Sequence, residues 1–66
     1  MPPRYPRIRV LLSDRDSNAF MILGLCRRAA IEAGLPKEEI DAFYDEATNG
    51  DYDHLIRTTM RWFSCE

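Results

Sequence analysis

The spacing of apolar residues along this chain shifts from period two to helical and back, and each rhythm predicts an element. Over residues 7–12 polar and apolar positions alternate, with Ile8, Val10 and Leu12 on one side, which predicts a strand with those three facing inward. Residues 13–18 are a turn rich in capping side chains, and Asp16 or Ser17 is the expected N-cap of a first helix reaching about Ala33. Its core stripe is predicted to be Ala19, Ile22, Leu23, Cys26, Ala30 and Ala33, and Gly34 supplies a left-handed stop. Leu35-Pro36-Lys37-Glu38-Glu39 opens a second helix, because proline fits the first turn and acids oppose the positive end of the helix dipole. Ile40, Phe43, Tyr44 and Ala47 then fall at i, i+3, i+4 and i+7 as its buried stripe. Thr48-Asn49-Gly50 stops it, and Asp51 caps a third helix whose apolar positions are Tyr52, Leu55, Ile56, Met60 and Phe63. A closing strand is expected from about Trp62, paired with residues 7–12.

One stretch breaks the amphipathic rule. Ala19-Phe20-Met21-Ile22-Leu23-Gly24-Leu25-Cys26 holds no polar side chain, whereas a helix on one small core needs an apolar stripe and not a girdle. Met21 and Leu25 fall opposite Ile22 and Cys26, so a partner subunit is expected over them. Gly24 sits in mid-helix at a cost of about 1 kcal/mol relative to alanine. It marks either a close approach from outside or room for Trp62 or Phe43 within the monomer.

The predicted fold is a small α+β domain in the order strand, three helices, strand, its two-stranded ribbon packed on the helices. Residues 1–6 hold three of the four prolines and are expected to form a flexible arm, with residues 7–66 as one domain. A chain of 66 residues buries only about 60% of its unfolded surface, so oligomerisation is an expected support.

Composition narrows the function classes. The formal charge of −2 argues against a dedicated nucleic-acid binder, whose domains carry a basic face. The charge is uneven, however: Arg4, Arg7 and Arg9 lie near the start, while Glu38, Glu39, Asp41, Asp45, Glu46, Asp51 and Asp53 crowd a stretch whose only cation before Arg57 is Lys37. Attraction between copies, a basic arm laid on an acidic helix, or two solvated faces would each follow. No stretch approaches the ~18 apolar residues of a membrane span, and two cysteines without an export segment point to reduced thiols in the cytoplasm.

Candidate chemistry is sparse. Residues 14–18 follow the start of a calcium loop, but Ala19 and Leu25 stand where glycine and a bidentate glutamate are needed, which favours a capping turn. Asp51, Asp53 and His54 bring two carboxylates to the single histidine, yet neighbouring helix positions diverge. The simpler expectation has Asp51 capping and Asp53 pairing with Arg57, with no metal and no cofactor. Cys26, in its apolar run, should have a raised pKa and be inert. The best candidate for a ligand is an anion site on the third helix, where His54, Arg57 and Arg61, with Thr58 between them, supply donors. Tyr5 among Arg4, Arg7 and Arg9 could stack and pair with a single nucleic-acid strand.

Asn18-Ala19-Phe20, Ile22-Leu23-Gly24, Glu39-Ile40-Asp41-Ala42-Phe43, Gly50-Asp51-Tyr52-Asp53-His54-Leu55 and Met60-Arg61-Trp62 resemble segments of a set of small proteins from bacteria and bacteriophages. The resemblance runs from about residue 9, departs at Asp16-Ser17 where an Asp-Gly pair is the pattern, and implies a phage or mobile-element setting without transferring any site. The expected function is therefore a non-enzymatic interaction protein, acting as a homo-oligomer or as an adaptor for an unidentified protein partner. An anion- or nucleotide-sequestering protein is the alternative, and nucleic-acid binding through the arm comes third.

Overall fold

The computed structural model describes residues 2–12 and 18–66. The elements run β1 (Tyr5–Val10), α1 (Ala19–Glu32), α2 (Lys37–Ala47), α3 (Tyr52–Trp62) and β2 (Phe63–Cys65), a small α+β arrangement of strand, three helices and strand. The two strands pair in parallel, with Tyr5 opposite Phe63, Arg9 opposite Ser64 and Val10 opposite Cys65. A parallel pair cannot be joined by a tight turn. Here the connection is the entire three-helix segment, which covers the ribbon.

β1 begins at Tyr5, two residues before the period-two alternation starts, so Tyr5 and Pro6 belong to the strand and not to the preceding arm. Pro6 is tolerated because the register breaks between Tyr5 and Arg9, where a missing N–H interrupts no ladder. Ile8 and Val10 face the core as the alternation predicts, while Leu12 is only half-buried. At the other end α3 runs into β2 without a loop: Trp62 is helical and Phe63 is extended at φ −130° and ψ 161°. That switch lets two consecutive large side chains enter the same core, where Trp62 and Phe63 both meet Phe43 edge-on, at 5.5 and 4.9 Å between ring centroids.

Asn18, rather than Asp16 or Ser17, caps α1, its side chain accepting the N–H of Phe20 at 2.9 Å. Residues 14–17 of the calcium-loop pattern lie outside the described residues. The core stripe of α1 is Ile22, Leu23, Cys26 and Ala30; Ala33 is exposed, because the helix ends at Glu32 and Ala33 is its C-cap ahead of Gly34 at φ 84°. In α2, Phe43 and Ala47 are buried, but Tyr44 is exposed. α3 departs furthest from its predicted stripe. Its buried positions are Leu55, Thr58, Thr59 and Trp62, while Tyr52 and Met60 are exposed. The two threonines can be buried because each hydroxyl donates to the carbonyl four residues back, Thr58 to His54 at 2.8 Å and Thr59 to Leu55 at 2.9 Å.

Candidate functional site

The surface most unlike a solvated face is the outer side of α1. Phe20 is 81% exposed, Met21 48%, Leu25 39% and Ile31 55%. Gly24 lies at the centre of this side: two residues away in either direction, about 200° around the helix, Ile22 and Cys26 point into the core. A Cβ added to Gly24 would meet nothing within 4 Å. The glycine therefore does not make room for Trp62 or Phe43 inside the monomer. Met21 and Leu25, the residues singled out for an interface, flank this glycine on one side, and Leu25 borders a hollow shared with Arg9, Leu11 and Arg28.

On the other side of α1 lies a groove of about 280 Å³, between the start of α1, the end of α2 and the start of α3. Phe20, Tyr44 and Tyr52 are its exposed walls, Leu23, Ala47 and Leu55 its buried floor, and among the described residues Asp51 is its one charged lining residue. The cap contacts help to form it: Asp51 accepts the His54 N–H at 2.9 Å and thereby fixes the start of α3, as Asn18 does for α1. No signal in the sequence announced this groove, since Tyr44 and Tyr52 fall at positions whose spacing predicts burial.

The anion candidates are brought together only in part: Arg57 and Arg61 share a hollow that His54 does not line. His54 is half-buried, and its Nε2 donates to the Glu46 carbonyl at 2.7 Å, tying α3 to the last turn of α2. Arg57 and Arg61 border a shallow hollow with Met60, and Thr58, placed between them in sequence, is fully buried. Arg27 and Arg28 border other hollows. Asp53 and Arg57 form no ion pair, as fits an exposed pair whose attraction is worth little against the freedom of two side chains.

The basic start of the chain does lie on the acidic helix. Arg4 pairs with Glu39 at 2.8 Å, and its guanidinium sits 4.6 Å from the centroid of the Trp62 ring. The Tyr5 hydroxyl donates to the same Glu39 carboxylate, and Trp62 Nε1 donates to Glu46. Hydrogen bonding to a carboxylate pushes the Tyr5 hydroxyl above the usual phenol range, with desolvation adding to it. Burial pushes the Cys26 thiol up to about 12, opposed in part by Thr59 Oγ1 at 4.0 Å, and the Cys65 thiol is raised by desolvation as well. Both thiols are free. Among the described residues no three His, Cys, Asp or Glu side chains gather where a metal could sit, and no helix is long and apolar enough to cross a membrane.

No protein-family model matches this chain, nor does any curated protein or solved structure.

Proposed function

We propose that this protein is a non-enzymatic interaction module of phage or mobile-element type that works as a homo-oligomer, with the outer face of α1 as its self-complementary contact. The observation that carries the reading is Gly24, an uncrowded helix-interior glycine surrounded by exposed Phe20, Met21, Leu25 and Ile31. Full burial of such side chains is worth about 1.5 to 3 kcal/mol each. That is large in a domain whose single core supplies about 3 to 5 kcal/mol. A two-fold axis lets one patch meet itself, and glycine allows two helices to come close at the crossing. Sedimentation equilibrium tests this. The wild type is expected to dimerise, and Met21→Glu with Leu25→Glu is expected to give a folded monomer; a wild type that stays monomeric at millimolar concentration removes the reading.

A second reading, an anion-binding protein, is supported by Arg57 and Arg61, exposed and paired with no described carboxylate. Calorimetric titration with a nucleoside diphosphate would show saturable heat that Arg57→Ala removes. Nucleic-acid binding through the arm has less support, because Arg4 and Tyr5 are engaged with Glu39.

A further inference from the structure

The fold already holds one arginine in a clamp of aromatic ring and carboxylate, Arg4 between Trp62 and Glu39. The groove beside α1 presents the same chemistry: three aromatic side chains, an apolar floor and Asp51. At about 280 Å³ it falls just below the roughly 300 to 1,000 Å³ of pockets for drug-sized ligands, a size suited to one long side chain. Asn18 and Asp51 already occupy donor N–H groups at the two helix starts that border it, so the groove favours a cation over an anion.

We infer that this groove is a guanidinium site and that it takes Arg27 of a second copy, an inference that rests on the α1 contact proposed above. Arg27 is exposed, pairs with no described carboxylate, and follows Gly24 by three residues on the flank of α1 that faces α2, where it borders a hollow with Asp41 and Tyr44. A two-fold axis lying in the contact plane and crossing α1 at Gly24 makes the paired helices antiparallel and preserves that flank. The second copy's Arg27 then lies about 4.5 Å along the axis from Gly24 toward Phe20, at the mouth of the groove. A planar guanidinium suits the site better than an ammonium, since it stacks on aromatic faces and meets a carboxylate with paired N–H groups.

The test is a double-mutant cycle on the dimer dissociation constant, measured by sedimentation equilibrium on the full chain. Arg27→Gln and Tyr44→Leu each alter an exposed residue and are each expected to weaken association about five- to thirty-fold. The double variant is expected to be no weaker than either single one, and Arg27→Lys is expected to weaken association as well. If the wild type dimerises and Met21→Glu disrupts the dimer, yet Arg27→Gln has no effect or the two single effects simply multiply, the arginine site is refuted and the α1 contact stands. If the wild type never dimerises, both are lost.

Discussion

The side chain of His54 occupies the space that a Cβ on Gly50 would need: built there, that carbon would lie 2.7 Å from His54 Cγ and 2.8 Å from its Cβ. Gly50 is thus required for space and not for backbone freedom, as its φ is not positive. Gly50→Ala is expected to destabilise the fold by about 1 to 3 kcal/mol by driving the imidazole off the Glu46 carbonyl. His54→Ala alone should cost about 1 kcal/mol. In the His54→Ala background the Gly50→Ala change should cost less, because the ring contacts are gone, but not vanish, because the Cβ of residue 54 still lies 2.8 Å from the added carbon. Thermal melts of the four proteins close the cycle, and additive losses would contradict the contact.

The Arg4 clamp gives a second expectation. Arg4→Ala removes an aromatic contact and an ion pair, together worth about 1 to 2 kcal/mol, which is several degrees in the melting temperature of a domain this small. Arg4→Lys should recover only part of it. Added salt should narrow the gap between wild type and Arg4→Ala, since the exposed ion pair is screened.

Cys26 predicts a pH dependence with a definite sign. Its folded pKa of about 12 lies above the ordinary thiol value of 9.0, so in alkali the unfolded chain loses this proton before the folded one does. The contribution is intact below about pH 9 and is lost as pH rises from there toward 12, by up to about 1.4 kcal/mol per unit. Denaturation by urea at stepped pH should show a shallower alkaline decline for Cys26→Ala than for wild type. In the native protein Cys65 should be alkylated well before Cys26.

Gly24→Ala separates the needs of the monomer from those of the dimer. The exposed helix gains about 1 kcal/mol from the better helix former, with no internal clash because the space is open. Dilute samples should therefore melt higher. Concentrated samples should associate less, and a variant that is more stable and equally dimeric would show that the helices do not cross at this residue.

Amide exchange checks the ribbon. Val10 and Phe63 are expected to be protected far beyond the exposed first-turn amides of Lys37 and Glu38, as they belong to the paired and buried centre of the sheet. Equal exchange rates would contradict the pairing.

The strands, the three helices and the helix stops were legible because each has a local cause: alternation at Ile8 and Val10, a capping aspartate at 51, glycine at 34. The parallel direction of the ribbon was not, since it depends on how three helices return the chain. The buried face of α3 was misread for a different reason. Thr58 and Thr59 count as polar by type, but bonding to the preceding turn leaves only methyl and backbone-satisfied hydroxyl to bury. That rotation in turn put Tyr52 on the surface, where it became a wall of the groove. Met21 and Leu25 were legible as an excess of apolar residues, whereas helical spacing alone did not show that His54 ties to α2 while Arg57 and Arg61 share a hollow.

Parallel pairing of the outermost elements also determines how the fold bears load. A pull on Arg4 toward the chain start and on Glu66 the opposite way acts along both strands, so the bonds from Arg4 N to Arg61 O, Glu66 N to Val10 O and Leu12 N to Glu66 O are strained together. They must yield in shear, all at once, and not open one after another like a zip. The three helices lie inside the loop that this ribbon closes and carry no tension until it gives way, so a two-stranded ribbon acts as the molecule's mechanical clasp.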